Sequence, residues 1–136
     1  MGFFDDLIGN KEEPARAGLP FNISTALRPV RLSARRENCL ELLVTVKSVS
    51  ESPIMASVNV EVPRALGFEN LGITKIKEVR IGELLPQAEK TLSFSICATS
   101  QTAAGTYSAL VTVSQHYRDY SHVLNYARKT VEVRVV

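Results

Sequence analysis

Long apolar runs are missing from this chain of 136 residues. None approaches the roughly 20 residues that a membrane-spanning helix needs, so a helical span is excluded. Charge of one sign is missing as well: 16 Lys and Arg against 14 Asp and Glu leave a net charge of only +2. That is too little for the several phosphate contacts on which nucleic-acid affinity rests, and no nucleic-acid partner is expected. Cysteine and histidine number two each. Cys39 and Cys97 stand alone, without the paired spacing of a structural zinc site. No glycine-rich phosphate loop and no Ser, His and Asp arrangement for nucleophilic catalysis is found, so neither a cofactor nor an enzymatic activity is expected. Helical periodicity is scarce too. No 3.6-residue pattern persists beyond two turns, which excludes an α/β fold. The opening residues, Met1 to Ile8, have no basic leader and no uninterrupted apolar segment, and Asp6 stands where a myristoylation pattern needs Ser or Thr. A cytoplasmic location is the expectation.

What remains is an ordinary foldable composition, 45% hydrophobic and 22% charged, in a chain of single-domain length. Phe3, Phe4, Leu7 and Ile8 fall on one face of a two-turn helix with Asp5 and Asp6 turned away. Such a helix is too short to persist alone. From Gly9 to Pro20 the composition shifts to Lys, Glu, Pro and Gly and reads as a linker. Residues 1–18 are thus a short amphipathic segment and linker, and 19–136 the globular domain. The Phe3, Phe4, Leu7, Ile8 face is a candidate docking element, for a partner or for the domain itself.

Within the domain the dominant period is two. Leu40, Leu42, Val44 and Val46 alternate with Glu41, Thr45 and Lys47, and Ser50 to Pro53 supplies a turn. Val58, Val60 and Val62 follow, then a long connection through Gly67 and Gly72. A strand around Lys75 to Ile81 has a slip between Ile76 and Val79 that reads as a bulge. Leu92, Phe94, Ile96 and Ala98 form the next inward set. Tyr107, Ala109, Val111 and Val113 give a further strand, and Val131, Val133 and Val135 the last. With a first strand over Phe21 to Leu32, these make seven strands of an all-β, antiparallel, immunoglobulin-like sandwich. Arg28, Arg31, Arg35 and Arg36 cluster where a sheet edge needs protection.

Three segments carry a family resemblance: Leu42 to Ser48 with the Ser52-Pro53 turn; Ile81-Gly82-Glu83-Leu84-Leu85-Pro86 leading into Leu92; and Gly105-Thr106-Tyr107 opening a strand to Tyr117. Their order resembles the immunoglobulin-like modules of the CARDB group and related domains appended to archaeal surface proteins and glycosidases, over residues 40–136. The resemblance implies a non-catalytic adhesion or binding module, in that family part of something larger. A Tyr at position 107 has its own structural reading, a hydroxyl bonded back to backbone at a sandwich corner.

Cys39 and Cys97 fall in phase with outward neighbours. On adjacent antiparallel strands they would be cross-strand neighbours, and a cytoplasmic setting favours free thiols. The dense cluster of chemistry-bearing groups is His116-Tyr117-Arg118-Asp119-Tyr120-Ser121-His122. His116, Asp119 and His122 have the donors of a metal site but not the spacing of a known one, and no metal is assigned. Inward positions beyond the valine ladder become Gln115 and Lys129, so this hairpin is expected to project past the core. His116, Tyr117, Arg118, Tyr120, Tyr126 and Arg128 are then candidate contact residues, since Tyr and Arg dominate binding hot spots. The same residues also suit a cluster that merely stiffens a long hairpin.

The leading functional reading is a module that binds another protein, or a second copy of itself, through this hairpin, an open sheet edge or the N-terminal segment. The alternative is a carbohydrate-binding or cell-surface adhesion module, which needs tyrosine faces open to sugar rings. A small metal-dependent enzyme on His116, Asp119 and His122 is the third.

Overall fold

Strict alternation of apolar residues turns these segments into strands, because a period of two places one set of side chains on one face. The computed structural model describes residues 19–136. Its strands are β1 (Phe21–Arg28), β2 (Arg31–Leu32), β3 (Asn38–Ser48), β4 (Ile54–Glu61), β5 (Leu66–Gly67), β6 (Ile76–Leu84), β7 (Glu89–Ala98), β8 (Gly105–Tyr117) and β9 (Asp119–Val135). The amphipathic segment and linker, with Phe3, Phe4, Leu7 and Ile8, lie outside the described residues.

Two sheets form, in the orders β1-β3-β7-β5 and β2-β9-β8-β4-β6. Every pairing is antiparallel except β2 with β9, where Arg31 meets Arg134 and Leu32 meets Val135 in parallel. The expected seven antiparallel strands are therefore corrected to nine, among the described residues, in a mixed arrangement. Two short elements account for the difference. Pro29, which has no N–H for a ladder, interrupts the expected first strand, so that β1 joins one sheet and β2 the other. The connection after β4 also touches the edge of β7 as β5, pairing Leu66 with Ala98 and Gly67 with Cys97.

The inner faces meet as the alternation predicts. Leu42, Val44, Val58, Val60, Phe94, Ile96, Val111, Val113, Val131 and Val133 are all fully buried in one cluster. Tyr107 donates its hydroxyl to the Ala103 carbonyl at 2.7 Å, the expected corner bond. The bulge lies elsewhere than expected: Ala56 pairs with Gly82 and Ser57 with Arg80, so Ile81 is the extra residue of β6, next to Gly82 at φ 84°.

Cys39 and Cys97 face each other across β3 and β7 and are joined by a disulfide, S–S 2.09 Å. The expectation of free thiols is thus corrected. The Leu42–Phe94 register brings the two β-carbons together, a consequence of core packing that compartment arguments alone do not contain. Cys39 is exposed and Cys97 buried, with Asn70 Oδ1 of the loop after β5 3.1 Å from Cys39 Sγ.

Candidate binding surface at the β8–β9 hairpin

β8 and β9 pair from Gly105 and Val135 down to Tyr117 and Asp119, leaving Arg118 alone at the turn with φ 69°. The valine ladder of β8 stops at Val113. At the next inward position Gln115 accepts a 2.8 Å hydrogen bond from Asn125 Nδ2, so a polar pair closes this end of the core. Lys129, opposite Val111, is buried. Beyond Gln115 the two strands no longer match in length. Gln115 pairs with Asn125, His116 with Val123 and Tyr117 with Asp119. β9 therefore carries unmatched residues, Leu124 and the stretch Tyr120 to His122, and these bulge out of the ladder.

The bulge sorts the candidate contact residues into two groups. Tyr117 and Tyr126 are half exposed, 50% and 55%, each beneath an arginine: Arg118 lies 5.0 Å from the Tyr117 ring centre and Arg128 5.1 Å from that of Tyr126. Tyr120 instead folds back over the sheet. Its ring meets His116 edge-on at 4.9 Å, and the guanidinium of Arg80 on β6 sits 4.6 Å above it. His116 is consequently 6% exposed, with Nε2 2.7 Å from Ser57 Oγ. His116, expected among the contact residues, is thus buried, because the slack in β9 lets Tyr120 cover it. Two residues were overlooked by sequence reasoning. Val123 and Leu124 are each 54% exposed on the same hairpin. Their signal was a pair of apolar residues within a stretch already judged dispensable to the core.

At the tip, Asp119 Oδ1 accepts from Ser121 Oγ at 2.5 Å and from Ser121 N at 2.9 Å, and lies 2.9 Å from His122 Nδ1. The Ser121 hydroxyl first, then His122, hold the Asp119 carboxyl down to about 2. This network is local and closed. His116 sits under Tyr120 with Ser57, apart from it, and among the described residues no three His, Cys, Asp or Glu side chains gather to hold a metal. The metal-enzyme reading loses its ligand set.

On the outer face of the five-stranded sheet a shallow groove of about 370 Å³ runs past Ser57, Asn59, Thr112 and Ser114, between Tyr120 and Arg128. Ser57 and His116 have the separation of a nucleophile and its base. Both are buried, however, and among the described residues His116 Nδ1 has no hydrogen-bond partner and no third group orients the ring as a triad requires.

Together the two sheets and the corner tyrosine make an all-β fold of immunoglobulin-like type. Its fold is similar to that of a CARDB domain from Pyrococcus furiosus solved in complex with di-metal ions, with TM-score 0.52 and 22% identity over 84% of this chain and 87% of that one. The CARDB resemblance expected from the sequence holds at the level of fold. The chain is also similar to part of the Pseudomonas fluorescens alkylpurine DNA glycosylase AlkC bound to DNA containing an abasic site analog. There the TM-score is 0.51 and the identity 15%, over 87% of this chain but 31% of that one, so this chain spans about a third of that protein. No family model and no curated protein matches the sequence.

Proposed function

We propose that this chain is a non-catalytic interaction module that docks another protein on the β8–β9 hairpin. The observation that carries the reading is the half-exposed set Tyr117, Val123, Leu124 and Tyr126 on a hairpin end that gives no buried apolar residue to the core between Val113 and Val131. Apolar and aromatic area held rigid by strand pairing is the material of a hot spot, and leaving it in water is costly. Charge selects the partner. Arg118 lies over Tyr117 and Arg128 over Tyr126, with Arg80 against Tyr120 of the same hairpin, whereas the acid of the tip, Asp119, is engaged by Ser121 and His122. An apolar patch rimmed by acidic side chains is the complementary surface.

The carbohydrate reading is less well supported. Tyr117, Tyr120 and Tyr126 each have a guanidinium across one ring face, which takes the flat platform that a sugar ring would use. Among the described residues no helix is long and apolar enough to cross a membrane. A cytoplasmic location, together with the Cys39–Cys97 bond, requires a host whose cytoplasm keeps disulfides, as hyperthermophiles do; otherwise the bond fits an oxidising compartment.

The test is capture from the native source with the chain and with its Leu124→Ala, Tyr126→Ala variant, followed by titration of the identified partner. The variant is expected to bind at least about tenfold more weakly, the effect of losing ~1.4 kcal/mol at a hot spot. Equal affinity would move the site off the hairpin.

A further inference from the structure

The outer face of the five-stranded sheet departs from what its strands would prefer. β4 and β8 are interior strands of that sheet, where β-branched and aromatic residues pack best and Ser and Asn are poor strand formers. Yet on the outer face β4 presents Ser57 and Asn59, and β8 presents Thr112 and Ser114, while the valines of both strands are buried in the core. Short polar side chains there forgo stability, and such departures from local preference are expected where a fold carries function. The flanking strands bring long side chains instead, Glu78 and Arg80 on β6 and Tyr126 and Arg128 on β9. The short ones thus become the floor of the groove.

Strand register lines up charges across this floor. Glu78 stands opposite Asn59, Asn59 opposite Thr112, and Thr112 opposite Arg128, and directly opposed residues point to the same side of a sheet. One row therefore crosses four strands, with a carboxylate at one end, a guanidinium at the other, and an amide and a hydroxyl between. Glu61, the next outward residue of β4, lines the groove beside Glu78 and doubles the acidic end. Among the described residues none of Glu61, Glu78 and Arg128 has an ion-pair partner, although the Tyr126 ring steadies the guanidinium of Arg128. The side chains of Asn59, Thr112 and Ser114 likewise bond to no other described residue, and their polar atoms are open to the groove.

We propose that this groove binds a short peptide with free ends, laid across the strands with its ammonium at Glu61 and Glu78 and its carboxylate at Arg128. Three strand spacings of ~4.8 Å set the Glu78 and Arg128 backbones about 14 Å apart. The two side chains take up part of that span, and the rest holds two or three extended residues at ~3.5 Å each. Asn59 offers a donor and an acceptor side by side, the complement of a peptide group, and the Thr112 hydroxyl beside it can serve as either. Opposite charges at the two ends select a dipolar ligand over a simple anion or cation. A volume of about 370 Å³ suits a small ligand and not a folded partner. A sugar is disfavoured, because Tyr120, the aromatic ring that lines the groove, has Arg80 across its face. The proposal does not rest on the hairpin reading, since β4 and β8 supply the floor and a peptide titration needs no protein partner.

The probe is trialanine, titrated into the full chain at neutral pH and followed by the amide NMR shifts of β4 and β8. A ligand this small in an open groove should bind with a dissociation constant in the millimolar range, moving the amides around Asn59 and Thr112. N-acetyl-trialanine lacks the ammonium and trialaninamide the carboxylate, and each should bind at least about threefold more weakly, the scale of one exposed ion pair. Arg128→Gln should weaken trialanine and its acetyl form by a similar factor but not the amide. Glu61→Gln with Glu78→Gln should weaken trialanine and the amide but not the acetyl form. All three residues are exposed, and the same spectra report whether each variant is folded. If one is not, the blocked peptides still test the same charges on the unaltered chain. Absence of shifts in the groove, affinities indifferent to blocking either end, or maltotriose binding as well as trialanine would overturn the proposal.

Discussion

Asp119 and His116 stand three residues apart in sequence and have opposite surroundings. Asp119 is at the exposed tip, where the Ser121 hydroxyl and backbone and His122 bind its charged form and bring its pKa from 3.8 to about 2. The folded value is the lower one, so its contribution to stability is present above the unfolded pKa and is lost as pH falls through the folded value near 2. Carbon-detected NMR of the carboxyl through an acid titration should place the midpoint near that value, and Ser121→Ala should raise it toward the ordinary carboxylate range. An unmoved midpoint would show that the serine is not the main cause. Among the described residues His116 meets no such partner on Nδ1; Ser57 Oγ lies against its Nε2 and the Tyr120 ring meets it edge-on. A spacing that makes the two look like co-ligands in sequence therefore separates them in space, because β9 is longer than β8 beyond Gln115.

At the scale of strands, the disulfide shows what one register determines. Leu42 opposite Phe94 is a core pair, and counting back along β3 and forward along β7 places Cys39 against Cys97. The bond closes a loop of 58 residues, for which chain-entropy arguments give a stabilisation of about 4 kcal/mol. Urea unfolding with and without reductant should show a difference of that order, with the β-sheet spectrum retained at zero denaturant because the valine, leucine and phenylalanine cluster does not depend on the bond. A chain indifferent to reductant would mean that the strands hold the unfolded ensemble as tightly without it. The long strands were legible for a physical reason: half-buried sheets impose a period of two, visible wherever one strand supplies three or more inward residues. β2 and β5, two residues each, supply too few for any period to show. The bulge at Ile81 was misplaced because its cause is the match between β4 and β6, a property of two segments together.

For the molecule as a whole, the hairpin is where stability and the proposed recognition share one element, and its residues differ in their surroundings. Sequence reasoning treated Tyr117, Tyr120 and Tyr126 alike, since each sits beyond the valine ladder. Yet Tyr120 closes over buried His116 and under Arg80, tying β9 to β8 and β6, whereas Leu124 is an unmatched residue of β9 with half its surface in water. Tyr120→Ala should then uncover the His116–Ser57 pair and remove two ring contacts, costing roughly 1–3 kcal/mol in thermal or urea unfolding. Leu124→Ala shortens a side chain that is half in water and outside the core cluster, and should stay within about 0.5 kcal/mol of the parent. If partner binding follows the proposed division, the affinity changes run the other way, with Leu124→Ala the more damaging once folding is allowed for. A stable Tyr120→Ala protein would show that the fold-back is incidental, and that the aromatic cluster belongs to the contact surface in its entirety.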